Sequence, residues 1–195
     1  MKSIIKKIAF LLSLILIVNV ISYAQANYHA KTADVKLSGT SNIHDWDMVA
    51  TAASSDAAIV VNGSGQVTAI TSLNFVLPAV NLKSKHTQMD KNTYKALNTS
   101  KYPNISFSFT SGTVTPTGNN TYQINAVGRM SIAGTVKQTD LQATGKYNPA
   151  DKSFTVTGVK KMKMTDYKVD PPKALMGTIK TGDAISIAYT VKFTK

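Results

Sequence analysis

Three histidines, ten aspartates and no cysteine or glutamate set the limits of the chemistry open to this chain. Without a thiol there is no cysteine nucleophile, no thiolate metal centre and no disulfide framework. The histidines are His29, His44 and His86, and no two stand at the i, i+2 or i, i+4 spacing that places paired ligands on one metal. No G-x-S-x-G elbow and no glycine-rich phosphate loop occurs. The one compact cluster is His44-Asp45-Trp46-Asp47, which carries the only Trp. It has two readings: His44 and Asp47 form a metal or acid/base site, or His44 bonds to local backbone while Trp46 plugs one end of a core. His86 carries the same pair of readings. Abundant Ser and Thr fall at exposed strand positions. No catalytic residue, resident cofactor or metal is expected.

The residues that could position such groups begin after a leader. Lys2, Lys6 and Lys7 form a basic segment, Ile8 to Ile21 is an apolar run interrupted only by Ser13 and Asn19, and small residues follow at Ala24 and Ala26. This is the pattern of a secretory signal peptide over residues 1–26, cut after Ala26 or after Ala24. The apolar run is shorter than the ~20 residues a membrane-spanning helix requires. Removing the leader's three lysines from the 22 basic residues leaves 19 against ten acids, a net charge of +9 for residues 27–195. All but one of those cations are Lys, the exception being Arg129. Nucleic-acid readers favour the bidentate fork of Arg, so a nucleic-acid partner is not expected. A scattered lysine surplus fits an ordinary solvated surface or a weak contact with anionic membrane. The oligomeric state stays open, a homodimer included.

Only one stretch of the remaining chain reads as helix. In Lys85 to Phe109, Asp90 is placed to cap a helix, with Met89 and Tyr94 as a hydrophobic staple across the cap. Tyr94 and Leu97 give a short apolar face, which Asn98-Thr99-Ser100 ends. Elsewhere the period is two. Asp34 to Thr40, Ile43 to Val49, Ala57 to Val61, Val67 to Val80, Ile105 to Phe109, Tyr122 to Ile132, Val136 to Tyr147, Phe154 to Met164 and Ile185 to Phe193 read as strands, while Thr51 to Asp56 reads as strand fading into loop. Asn62-Gly63-Ser64-Gly65, Pro116 to Asn120 and Asn148 to Asp151 are the turns between them. His29 falls in a mobile end. The count predicts an all-β fold, a single antiparallel eight-stranded barrel with one short helix covering an end. Gly128, Gly145 and Gly158 suit sharply bent barrel strands.

A soluble barrel turns its apolar faces inward, and eight strands enclose either a packed interior or room for one elongated ligand. The residues placed to line such a lumen are Phe75, Ile105, Phe107, Phe109, Ile124, Met130, Leu141, Phe154, Ile187 and Tyr189. Trp46, Tyr94 and Leu97 are placed to close an end. The unbranched Met130, Met162, Met164 and Met176 suit a cavity that must fit a flexible chain.

Several stretches, in order along the chain, resemble the YceI-like family. They are Leu37-Ser-Gly39-Thr-Ser-Asn-Ile-His44-Asp45-Trp46; Asp90-Lys-Asn-Thr-Tyr-Lys-Ala-Leu97 with Lys101-Tyr102-Pro103-Asn-Ile-Ser-Phe107; Gly128-Arg-Met-Ser-Ile-Ala-Gly134-Thr; and Pro171-Pro172-Lys173-Ala-Leu-Met-Gly177-Thr-Ile-Lys-Thr-Gly182-Asp183. The resemblance implies a lipocalin-like barrel exported to the periplasm and no catalytic residues, in a family some of whose members hold a long isoprenoid, such as a polyprenyl chain or quinone tail, in the lumen. Two stretches depart from the family pattern. Its R-D-x-H-L is here Met89-Asp90-Lys91-Asn92-Thr93, without the Arg and His, and its F-G-[IV] is Tyr167-Lys168-Val169. The expected function is therefore a non-enzymatic binding protein for a long apolar lipid, be it isoprenoid, quinone-like or fatty-acyl. The competing reading is a small eight-stranded outer-membrane barrel with a structural role. Against that reading, Lys160, Lys161 and Lys163 crowd one strand, where a membrane barrel needs an apolar outer band.

Overall fold

Period-two alternation sets the architecture. In a computed structural model, which describes residues 24–195, the strands are β1 (Ala24–Ser41), β2 (Trp46–Ala50), β3 (Ser54–Val61), β4 (Val67–Pro78), β5 (Asn104–Gly118), β6 (Thr121–Ile132), β7 (Thr135–Asn148), β8 (Ser153–Lys163), β9 (Lys173–Ala174) and β10 (Ile179–Thr194), with one α-helix, α1 (Thr87–Leu97). β1, β3 to β8 and β10 pair antiparallel in that order, and β1 with β10 closes the ring. The fold is a closed eight-stranded antiparallel barrel. β2 adds to the second half of β1, where β3 has left it, and the two-residue β9 adds to β10. Most of the leader, residues 1–23, lies outside the described residues, while Ala24, Gln25 and Ala26 begin β1 opposite Val61, Val60 and Ile59.

β1 begins ten residues earlier than its alternation suggested. The reason is a register shift between Ala30 and Thr32. Ala26, Tyr28 and Ala30 pack into the interior before it, and Ala33, Val35 and Leu37 after it. A bulge changes the parity of the inward face, so the strand does not read as one pattern. His29, expected in a mobile end, sits within β1 and its Nδ1 meets the Asp56 carboxylate across the β3 ladder. Both side chains are exposed, so the pair adds little stability. Residues 54–56, read as fading into loop, are the start of β3.

Helix α1 starts three residues before Asp90, with His86 at the N-cap position. Asp90 does not cap it. Its buried carboxylate accepts from the Ser84 backbone N–H at 2.7 Å and the Ser84 hydroxyl at 2.8 Å, which fixes the loop that feeds the helix. Asn98 ends α1 in the left-handed conformation, with φ 50°, and its N–H returns to the last turn.

The interior divides into two halves. At the end holding the 62–66, 118–120 and 149–152 turns, Tyr28, Ile59, Val67, Tyr122, Tyr147, Phe154 and Phe193 form a packed plug. Phe154 meets Tyr122 edge to face, with centroids 6.1 Å apart. The other half gathers Val35, Met48, Leu77, Leu82, Phe107, Met130 and Ile132 with Leu97 of α1 and Tyr167 and Val169 of the β8–β9 connection.

Candidate functional site

A cavity of about 570 Å³ occupies the second half of the barrel. Its floor is Ile70, Ile124, Ala143, Val156, Val191 and Phe193, resting on the aromatic plug. Its mouth reaches exposed Ile43, His86 and Gln88. The lumen is thus shut at one end by packing and open at the other. Its walls are mostly hydrocarbon, which suits an elongated apolar molecule, with His44, His86, Lys160, Lys163 and Lys173 among the polar residues around it.

Nine of the ten predicted lumen residues line this cavity: Phe75, Ile105, Phe107, Phe109, Ile124, Met130, Leu141, Ile187 and Tyr189. Phe154 does not. It faces inward but lies in the plug, fully buried, its ring tip over Gly145 where a Cβ would come within 2.3 Å. Gly128 and Gly158 likewise allow a close approach. A Cβ on Gly128 would meet the Phe107 ring at 2.3 Å, and one on Gly158 the Tyr189 hydroxyl at 2.3 Å. Burial pushes the Tyr189 phenol up to about 12.

Of the predicted end residues, Trp46 and Leu97 line the cavity at its open half. The Trp46 ring lies against Gly39 and its indole N–H donates to the Thr40 carbonyl oxygen at 2.9 Å. Tyr94 is not at the cavity. Its hydroxyl lies 2.9 Å from the carbonyl oxygens of both Val80 and Leu82, clamping α1 to the chain before it. The helix instead presents Met89, Thr93 and Ala96, at i, i+4 and i+7 spacing, to the lumen beside Leu97. Met130, Met162 and Met164 line the cavity, whereas Met176 is fully exposed.

The metal or acid/base reading of the His44 cluster is not assembled. The His44 ring nitrogen bonds the Asp45 carbonyl oxygen at 2.7 Å, and the Asp47 carboxylate pairs with Lys36 at 3.5 Å. Among the described residues no group of three or more His, Asp, Glu or Cys is placed to hold a metal ion. Sequence reasoning counted Lys160 with Lys161 and Lys163 against an apolar outer band, but Lys160 faces inward. It shares the phase of Phe154, Val156, Gly158 and Met162 along β8, pairs across the ladder with Ile187, and lines the cavity.

The YceI-like domain matches residues 27–193. The chain belongs to the YceI-like family. Solved structures of similar fold include BcnA of Burkholderia cenocepacia, at TM-score 0.62 and 16% identity over 83% of this chain and 96% of that one. A polyisoprenoid binding domain from Saccharophagus degradans, implicated in plant cell wall breakdown, aligns at TM-score 0.64 and 9% identity over 88% and 99%. The Campylobacter jejuni YceI protein aligns at TM-score 0.53 and 15% identity over 72% and 81%. No curated protein matches the chain. At these identities the structural likeness speaks for the fold. The YceI-like membership and the barrel together support a lipid-binding protein.

Proposed function

We propose that this protein is an exported, non-enzymatic carrier that holds one long apolar lipid, an isoprenoid, quinone-like or fatty-acyl chain, in the barrel lumen for transport, storage or sequestration. The observation that carries the reading is the one-ended cavity, apolar along its length and floored by the aromatic plug. Each methylene moved from water into such a space contributes about 0.8 kcal/mol, so a long chain binds without a dense set of polar contacts. The polyisoprenoid binding domain from Saccharophagus degradans shares the fold and makes an isoprenoid the first candidate. The leader of residues 1–26 and the lysine surplus support export to the periplasm and a weak contact with anionic membrane.

The membrane-barrel reading is weaker. Gln123, Asn125 and Arg129 on β6 and Gln138, Asp140, Gln142, Thr144 and Lys146 on β7 face outward, where a lipid-facing band must be apolar. The test is mass spectrometry of an organic extract of the protein purified from its own cells, followed by titration of the stripped protein with a fluorescent polyprenyl or fatty-acyl probe. One long-chain species at near-stoichiometric amount, with saturable probe binding, is expected. An empty extract together with no saturable binding would overturn the carrier reading.

A further inference from the structure

The barrel wall is incomplete on one side of the cavity. β7 pairs with β6 from Thr135 to Lys146, and β8 pairs with β10 from Phe154 to Lys163. Yet β7 and β8 pair with each other only over Ala143–Asn148 against Ser153–Gly158. Beyond that point, towards the open end, the two strands separate. Residues 135–142 of β7 and 159–163 of β8 leave facing edges without a ladder between them. Two side chains respond to the break. The Tyr189 hydroxyl crosses Gly158 and donates to the Gln142 carbonyl oxygen at 3.3 Å, next to the last ladder pair. Lys160, on the inward face opposite Ile187, sends its ammonium to the outward-facing Asp140, with Nζ 3.2 Å from Oδ1. The Lys160 side chain is only 21% exposed while that of Asp140 is 74% exposed, so the amine spans from lumen to surface at the split. The charge around the cavity is one-signed. Lys160, Lys163 and Lys173 line it, and among the described residues no carboxylate does.

We propose that the lumen takes amphiphiles with an anionic head group, phosphate or carboxylate, and that the head seats on Lys160 at the split between β7 and β8 while the chain fills the lumen. This rests on the lipid-carrier reading and deepens it. A lysine stem laid along hydrocarbon with its ammonium at a water-accessible gap suits a ligand that is apolar along its length and charged at one end. A neutral alcohol of the same chain leaves that ammonium to Asp140 alone. An anionic head adds a charge-assisted hydrogen bond.

The test titrates stripped wild-type protein, followed by Trp46 fluorescence, with two matched pairs: geranylgeranyl phosphate against geranylgeraniol, and palmitate against hexadecanol. Wild type is expected to bind the anionic member of at least one pair about tenfold or more tightly than its alcohol. The pair showing the larger ratio tells phosphate from carboxylate. Lys160→Met should reduce that ratio to near one, by weakening the acid far more than the alcohol. Lys160→Arg should restore it, and Asp140→Asn should increase it. Ratios near one in wild type for both pairs, or a ratio that survives Lys160→Met and falls instead with Lys173→Met, would overturn the head-group assignment while leaving the carrier reading standing. Failure of all four probes to bind wild type would sink the carrier reading itself.

Discussion

Phe107 and Phe154 are both inward-facing phenylalanines resting on a glycine, and truncating each should have opposite consequences for stability and for lipid binding. Phe154 is fully buried in the plug, edge to face with Tyr122 at 6.1 Å, on a strand laddered to both neighbours at that point. Phe154→Ala leaves a new void that this end cannot close, so the cost falls in the upper part of the 3–5 kcal/mol range for such truncations. The lost edge contact supplies about 0.5–1.5 kcal/mol of that. Phe107 is 4% exposed, but one side borders existing empty space. Atoms facing a void have no partners to lose, so Phe107→Ala enlarges a cavity rather than making one, at about 2–3 kcal/mol. For a chain of this size each kcal/mol moves the melting temperature by about 2–4 °C. Stripped Phe154→Ala should therefore melt about 10–15 °C below wild type and Phe107→Ala about 5–8 °C below. The order reverses for a polyprenyl probe. Phe107→Ala should bind about fivefold or more weakly, for the loss of about one kcal/mol of wall contact, and Phe154→Ala should bind nearly as wild type at a temperature where it is folded. Circular dichroism melts and probe titrations on the same preparations decide it. Equal melting losses, or a larger loss for Phe107→Ala, would refute the division of the interior into plug and cavity.

Gly158→Ala places a methyl 2.3 Å from the Tyr189 hydroxyl and 2.8 Å from the Gln142 carbonyl oxygen, and should cost about 1–3 kcal/mol as an overpacked site. Gly63→Ala meets nothing within 4 Å and should shift the urea midpoint very little; similar shifts for both would contradict the packing described. The Ser153 hydroxyl and backbone N–H, with Lys192 beside them, hold the Asp151 carboxyl down at about 2. Its folded value lies below the unfolded one, so its contribution is complete above an ordinary Asp value of about 4 and is lost as the pH falls towards 2. Urea midpoints measured from pH 5 to pH 2 should fall less steeply for Asp151→Asn than for wild type, and parallel curves would count against this role.

The barrel was legible because strands such as β6 keep one parity from end to end. Tyr122, Ile124, Gly128, Met130 and Ile132 are all buried on β6, as alternation alone requires. At one break the reading failed: the bulge after Ala30 hid the first half of β1. The helix was found but started too late, because an aspartate near a helix start looks the same whether it caps the helix or holds the preceding loop through Ser84. The lumen list erred at Phe154 for a different reason. Alternation says which face a residue takes, and not at which height along the barrel the interior is filled. Lys160 was readable by parity, yet the separation of β7 from β8 was not, since a missing ladder belongs to two strands together.

The position of the cavity follows from where the rings come to rest. At the plug, Tyr28, Tyr122, Tyr147, Phe154 and Phe193 crowd one level and cross the interior between them. Higher up, Phe107 lies over Gly128 and Tyr189 over Gly158, each ring taking up the place of a missing side chain on the neighbouring strand. Gly145 gives the Phe154 ring the same room within the plug, so a glycine seat alone does not open a cavity. The wall around the cavity is still largely aromatic and aliphatic, which suits a hydrocarbon chain. Large rings and the small residues Ala96, Ala126 and Ala143 line the cavity together. Gly128 and Gly158 contribute by giving Phe107 and Tyr189 room against the neighbouring strand, so a side chain added at either would push its ring towards the lumen.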